Sequence, residues 1–440
     1  MLEIADRLEE AGYETWCVGG AVRDALLGRS HLDWDLATAA TPEEVQRVFG
    51  RRRTVPVGLD FGTVGVLDRS GGLHEVTTFR RDVRTDGRHA VVEYGATLDD
   101  DLARRDFTIN AMAYHPRRRT LRDPFGGRAD LERRVVRAVG DPNERMREDR
   151  LRALRAIRFA GRLGFTIDGA TWDAILASAT QLRRLSAERV RQELEKTMDQ
   201  LPHPSVALNL WLESGAMAVL VPALASVGSR TVVAVDCVAP LSEGPAPRVR
   251  ARRIVRFAVL FSERRGADVS EALGALRFSK SDAGAVATLV ERWRAIGPAM
   301  ERALAGGESL DDAAVRRWVA EIGRVNVPLV MRVASAVWSA RRAASEPSPE
   351  AGAVRALYRR LLRSRLRDPV ELSDLAVDGD DMRRAGIPPG PGLGKILQAL
   401  LDRVIQDPSR NTPGWLMEEA TRLYGTGDGG GGSPDTTRGR

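Results

Sequence analysis

Two aspartates one residue apart, Asp33 and Asp35, are the side chains whose type and spacing first point to chemistry. In an extended strand, residues two apart face the same way. The pair therefore aims two carboxylates at one spot, with Trp34 on the opposite face. Parallel carboxylates repel unless cations lie between them, so the pattern predicts a divalent metal site. Ligation by oxygen alone favours Mg²⁺ over Zn²⁺. Upstream, the apolar run Trp16-Cys17-Val18 stops at Gly19-Gly20, and a helix-compatible stretch begins. Backbone N–H groups at such an opening can meet a phosphate. Arg23, one turn further on, can add a charge-assisted contact. A DxD pair alone also occurs at exposed strand ends that do nothing.

The surrounding elements must hold these groups. Residues 1–12 read as a helix closed by Gly12, 16–18 as a strand, 21–27 as a short helix ending at Gly28, and the segment from Asp33 as a second strand. Thr41 is a helix N-cap with Pro42 at the first position. Three short strands follow at 54–57, 62–67 and 74–79, separated by glycine-containing turns. In the last of them Glu75 shares a face with Thr77 and is a third candidate carboxylate. Residues 82–94 start polar and carry the turn signal Asp86-Gly87, which predicts a mobile loop. Residues 123–127 read as a turn, 129–132 as a short helix and 135–139 as a strand.

From Pro142 onward the pattern is all-helical. Residues 144–165 read as one long Arg-rich helix with Leu151, Leu154 and Ile157 in an apolar arc. Asp149 and Arg152 lie off that arc as i,i+3 neighbours, and their plain reading is a surface ion pair. A further helix covers 187–198, the stretch 230–342 is helical and Arg-rich, and a rigid Pro-Gly loop at 386–391 leads into a helix at 394–406. The Gly-rich segment 425–440 is expected to be disordered.

At 440 residues the chain is long enough for two to four domains. Its 67 Lys and Arg against 60 Asp and Glu give a net charge of +7, which fits a polyanionic partner such as nucleic acid, or a compositional bias toward Arg. Two distant cysteines, Cys17 and Cys237, exclude a disulfide framework and a cysteine zinc site and fit a reducing cytoplasm. The N-terminus reads as an amphipathic helix rather than a signal peptide. The most apolar later stretch, 205–228, is interrupted by Glu213 and Pro222 and is not expected to span a membrane.

The spacing GG-x-VRD-x₃-G-x₄-D-x-D-x-AT in residues 19–38 is far more specific than DxD alone. It resembles the signature of the class II tRNA nucleotidyltransferases and bacterial poly(A) polymerases, within the DNA polymerase β-like nucleotidyltransferase superfamily. LARRDFTINAMAY (102–114) is similar to that family's RRDFTxNA motif, the 123–127 turn to its hinge, and EDRLR (148–152) with ALRAIRFAGRLGF (153–165) to its EDxxR…RF motif. The resemblance implies a small mixed α/β head at 1–140, a helical neck at 141–200, a helical body at 201–345 and a helical tRNA-binding tail at 346–424. It implies catalysis by Asp33, Asp35 and Glu75, with Mg²⁺ on the two aspartates. It implies nucleotide binding by Gly19, Gly20, Arg23, Arg105, Asp106, Asn110, Asp149, Arg152, Arg155 and Arg158, the base being read by Asp149 and Arg152. Glu193 and Lys196 belong to a motif taken as structural.

GIPPGPxxGxxL…DPxxNT (386–412) resembles the tail of the HD-type CCA-adding enzymes. The body is similar to a decayed HD phosphohydrolase domain. Arg230 and the run Val259-Leu260-Phe261-Ser262 stand where metal ligands would be, and the only histidines are His31, His74, His89, His115 and His203. The implied activity is addition of CMP and AMP, from CTP and ATP, to the 3′ end of tRNA, with no membrane and no obligate protein partner. Relatives that stop after CC are shortened at the place of residues 82–94, so their presence here points to completion through the terminal A. A-adding or CC-adding enzymes, a poly(A) polymerase and a non-catalytic RNA-binding protein are the alternatives.

Overall fold

A computed structural model describes residues 1–29, 34–58, 62–85, 90–238, 246–306 and 310–425. Asp33 lies outside the described residues, as do 86–89 and the expected disordered segment beyond 425. The chain divides into two compact units, Met1–Ser226 with Ala275–Phe278, and Val227–Gly274 with Ser279–Arg440.

The first unit opens with α1 (Leu2–Glu10), β1 (Thr15–Val18), α2 (Gly20–Leu26) and β2 (Asp35–Thr38). Next comes α3 (Pro42–Phe49), started by a full capping box in which Thr41 and Glu44 satisfy each other's backbone N–H groups. Strands β3 (Thr54–Gly58), β4 (Thr63–Leu67) and β5 (Leu73–Thr78) follow as the sequence predicts. With β8 (Ala113–His115) and β9 (Thr120–Arg122) they form a seven-stranded sheet in the order β3-β4-β5-β2-β1-β8-β9. The β2–β5 pair is parallel and the others antiparallel, so the sheet is mixed. One face buries Trp16, Val18, Ala37, Phe79, Leu98, Leu102 and Ala113 as a core. Val18 pairs with Asp35 across β1 and β2, so Asp35 lies on that apolar face where it reaches the surface.

The expected loop at 82–94 is instead mostly strand. Backbone β6 (Arg80–Thr85) and β7 (Ala90–Tyr94) pair as an antiparallel hairpin outside the main sheet, with a register shift between Asp82 and Arg84. Its base is close-packed: a Cβ on Gly62, which has φ +71°, would lie 2.7 Å from the Tyr94 ring. After α4 (Leu98–Ala103) and β8–β9 comes α5 (Gly127–Arg133), where the 129–132 helix is expected. The strand expected at 135–139 shrinks to β10 (Val135–Val136), paired with β11 (Thr166–Ile167), and Ala138 makes only an isolated bridge to Phe107.

The single long helix expected at 144–165 is two helices, α6 (Pro142–Glu148) and α7 (Leu151–Leu163). Asp149 breaks it, with extended backbone at φ −145° and ψ 105°. α8 (Gly169–Ser178) and α9 (Ala187–Gln200) complete the helical wall, and α9 is capped by the Ser186 side chain.

The second unit is helical throughout its described residues, from Ser229–Ala234 to Pro413–Gly425. The helix Pro391–Gln406 begins earlier than expected, with Pro391 at its first turn after Gly390. Its apolar side packs with Leu375, Val377, Met382, Ile387 and Leu416.

Candidate active site

A single cleft of about 730 Å³ is lined by eleven of the thirteen residues that the sequence singles out: Gly19, Gly20, Arg23, Asp35, Arg105, Asp106, Asn110, Asp149, Arg152, Arg155 and Arg158. All lie in the first unit. The glycine turn must be glycine at its first position. Gly19 has φ +74°, and a Cβ there would sit 2.9 Å from Arg105 Nη1. The positive φ is what favours glycine here, since the Arg105 guanidinium, at the end of a flexible side chain, could give way.

The floor of the cleft is a network of charge-assisted hydrogen bonds. Arg23, 2% exposed, donates to Asp24 at 2.8 Å and to the Asn110 side-chain oxygen at 2.6 Å. Burial pushes the Arg23 guanidinium pKa down, against the opposing pull of Asp24. Asn110 donates its amide to Asp106 at 2.9 Å, and Arg155 donates to the other Asp106 oxygen at 2.8 Å. Burial alone would push the Asp106 carboxyl up. The Arg155 charge and the hydrogen bonds from Asn110 and Arg155 outweigh it and hold the carboxyl below its ordinary value. Arg105 reaches Asp101 at 3.0 Å, and Arg158 pairs with buried Glu193 at 2.6 Å.

Asp149 and Arg152 do not pair with each other's side chains, although they are three residues apart. Asp149 Oδ1 accepts from the Leu151 N–H at 3.0 Å, and its Oδ2 from Arg189 Nη2 at 2.7 Å. Arg152 donates to Glu148 at 2.6 Å and to the carbonyls of Arg145 and Arg104 at 3.1 Å each. The i,i+3 surface pair expected on one continuous helix is absent because Asp149 has left the helix.

Two of the thirteen residues fall elsewhere. Asp33 is outside the described residues. Glu75 is exposed and does not line the cleft. The Leu36–Val76 register, carried one residue back, sets it beside Asp35 on the neighbouring parallel strand. Among the described residues no group of three or more His, Cys, Asp or Glu gathers as a metal site. Asp35 and Glu75 are exposed all-oxygen donors, the type that suits a hard dication.

The cleft also holds Arg104, Phe159, Arg162, Lys196 and Gln200, which the sequence reading did not single out as site residues. The helix 187–198, assigned no chemistry beforehand, supplies Lys196 to the cleft wall and braces two site residues through Arg189 and Glu193. Arg162 on α7 and Gln200 on α9 carried a signal only as polar helix positions, which many solvated helices share, and Lys196 only as part of a motif taken as structural.

In the second unit, Arg230 and Ser262 line a cavity of about 310 Å³ with Glu263, Trp293, Arg341 and Glu346. Its cations meet carboxylates: Arg230 pairs with Glu346, and Arg341 with Glu301 at 2.8 Å.

Comparison with known proteins bears on both units. Residues 15–137 match the model of the poly A polymerase head domain, and residues 164–227 match that of a probable RNA and SrmB-binding site of polymerase A. The CCA-adding enzyme of Limosilactobacillus fermentum is 32% identical over 431 residues, covering 96% of each chain. That of Geobacillus kaustophilus is 44% identical over 227 residues, so the chain spans about half the length of this relative, 55% of it, from 51% of its own. A crystal structure of the Bacillus stearothermophilus CCA-adding enzyme in complex with CTP superposes with a TM-score of 0.74 at 31% identity, over 97% of this chain and 98% of that one. No helix among the described residues is long and apolar enough to cross a membrane.

Proposed function

We propose that this chain, which belongs to the family of the bacterial CCA-adding enzymes, adds CMP and AMP to the 3′ end of tRNA from CTP and ATP, releasing pyrophosphate and using no nucleic-acid template. The observation that carries this reading is the composition of the cleft. Three carboxylates, Asp35, Asp106 and Asp149, a glycine turn and an arginine wall share about 730 Å³. That volume suits a nucleotide.

Asp35 and Asp33 would hold two divalent cations, Mg²⁺, with Glu75 as the third carboxylate. The exposed oxygen donors at Asp35 and Glu75 support this. When bound, one cation would lower the pKa of the attacking 3′-OH and the other would neutralise charge on the departing pyrophosphate. The Gly19 and Gly20 backbone and Arg105 hold the triphosphate, with Arg155 and Arg158 adding positive field. Arg23 orients Asn110, which with Asp106 meets the ribose. Asp149 and Arg152 read the base. Cytosine and adenine both present an amino donor beside a ring-nitrogen acceptor, which an Asp acceptor and an Arg donor can match. Guanine and uracil present a carbonyl beside an N–H and set like against like.

The second unit contributes tRNA contacts. Its helix Ala351–Arg367 carries Arg355, Arg359, Arg363 and Arg367 as an exposed row at four-residue spacing, about 6 Å apart along the axis. Such a row fits phosphates and reads shape rather than sequence. The cytoplasm is the compartment for this activity, in keeping with two cysteines that form no disulfide.

The test is incubation with tRNA ending at the discriminator base. CTP alone should add two residues, ATP alone none, and both together three. Addition of A without prior C would favour a poly(A) enzyme instead.

A further inference from the structure

We infer that Arg189 is the positioning residue for base selection, acting through Asp149 and touching no nucleotide itself. The inference rests on the reading of Asp149 and Arg152 as the base-facing pair.

Asp149 sits in extended backbone between two helices, so no helical geometry sets the direction of its side chain. Two donors set it instead, the Leu151 N–H at 3.0 Å and Arg189 Nη2 at 2.7 Å. A carboxylate offers about four acceptor sites. With these two filled, the remaining lone pairs point in fixed directions. Arg189 is itself anchored in the first turn of α9, where its backbone N–H donates to the Ser186 side chain at 3.4 Å. It does not line the cleft.

The alternative that Arg189 prevents is specific. Asp149 and Arg152 are three residues apart and of opposite charge. Left to themselves they can satisfy each other, and an aspartate turned onto Arg152 offers nothing to a base. Two flanking ion pairs draw them apart, Asp149 to Arg189 at 2.7 Å and Arg152 to Glu148 at 2.6 Å. Arg152 has five N–H donors, of which three bonds to Glu148 and two carbonyls occupy part. Both readers are therefore held apart with capacity left over. Rigid holding is what makes a mismatched base costly. A mobile carboxylate could swing away from the uracil O4 or guanine O6, whereas a pinned one meets it.

The experiment uses the full chain with tRNA primers ending at the discriminator base and after CC. It compares Arg189→Met, Arg189→Lys and Arg152→Ala for kcat/KM with CTP, UTP, ATP and GTP, alongside thermal unfolding and tRNA binding. Arg189→Met should lower the CTP:UTP and ATP:GTP ratios by about tenfold or more with tRNA affinity unchanged. Arg189→Lys, which keeps the charge, should recover most of the ratio. If Arg189→Met does not fold, Arg189→Gln, which keeps a donor of smaller reach, decides by the same ratios. Relaxed selectivity in Arg152→Ala with unchanged ratios in the Arg189 variants overturns the positioning role and leaves the base reading intact. Unchanged ratios in Arg152→Ala overturn the base reading, and the positioning role falls with it.

Discussion

Asp106 and Arg155 are 49 residues apart in sequence, one beside the sheet and the other on α7, and their side chains meet at 2.7 Å. This pair ties the residue proposed to face the ribose to the helix that follows the base-reading break. Breaking a largely buried ion pair by removing one partner costs about 3 kcal/mol, because the other charge stays behind. Arg155→Met should therefore destabilise the protein by roughly that amount at neutral pH.

The pH dependence has a definite sign. The Asp106 carboxyl is held below its ordinary value, chiefly by Arg155 against the effect of burial. Its contribution to stability is fully present above the unfolded carboxylate pKa of about 3.9. It is lost as pH falls through the lower folded value. In Arg155→Met the strongest cause opposing burial is gone and the folded pKa rises, so the loss should begin at higher pH. Urea midpoints measured from about pH 3 to pH 7 should show the acid limb shifted upward in the variant. An unshifted limb would mean that Arg155 does not govern Asp106.

Asp35→Asn should abolish C and A addition together while tRNA binding persists, because the carboxylate serves chemistry and the arginine surfaces serve binding. Asp33→Asn should match it. A readout independent of turnover is Mn²⁺ binding followed by electron paramagnetic resonance in the presence of CTP, which should weaken in both variants. Near wild-type turnover in either variant would remove the two-aspartate assignment.

What could be read from the sequence divides by how local its cause is. The Thr41–Glu44 capping box is a four-residue event, and its residues alone foretell it. The strands β1, β4 and β5 follow from short runs rich in β-branched residues beside glycines, and β2 from the alternation of Asp33 and Asp35. The Asp149 break does not follow from local signals. Residues 148–152 contain no glycine or proline, and the conformation is held in part by Arg189, 40 residues away. The hairpin at 80–94 was hidden by charged residues on its first strand, and β8 and β9 by their length of three residues each. The motif spacing brought eleven site residues to one cleft, whereas the brace from Arg189 and Glu193 appears only once α9 packs on α7.

The hairpin bears on the third addition. A two-stranded ribbon outside the main sheet is marginal alone. We propose that it shifts between additions, which would let one pocket accept cytosine twice and then adenine. Deleting residues 85–89 should spare CTP incorporation and impair ATP incorporation, measured on primers ending at the discriminator base and after CC. Equal loss of both would assign the hairpin a general folding role.

The cavity beside Arg230 and Ser262 should have no hydrolase activity. It lacks the histidine and His-Asp ligands of an HD metal site, and its arginines are neutralised by Glu346 and Glu301. Purified protein should leave 2′,3′-cyclic phosphates intact with Mg²⁺, Mn²⁺ or Ni²⁺ added. Hydrolysis that disappears on mutation of Arg230 or Glu263 would contradict this.

Phe159 organises the positive wall of the cleft. Its ring centroid lies 4.6 Å from the Arg158 guanidinium carbon, 5.2 Å from that of Arg23 and 5.4 Å from that of Arg155. Three like charges around one ring repel one another, and two features offset this. Each arginine has its own carboxylate, Glu193, Asp24 and Asp106 respectively. The ring's negative faces attract the cations, by about 0.5–2 kcal/mol each depending on desolvation. Phe159→Leu keeps most of the buried apolar volume, so its packing cost should be about 1.5 kcal/mol or less. It removes the quadrupole and lets the guanidiniums drift. Because these arginines are proposed to face phosphate and ribose rather than the base, KM should rise for CTP and ATP by the same factor. The CTP:UTP ratio should stay at its wild-type value, in contrast to Arg152→Ala. A change in that ratio for Phe159→Leu would mean that the ring, or an arginine resting on it, also meets the base.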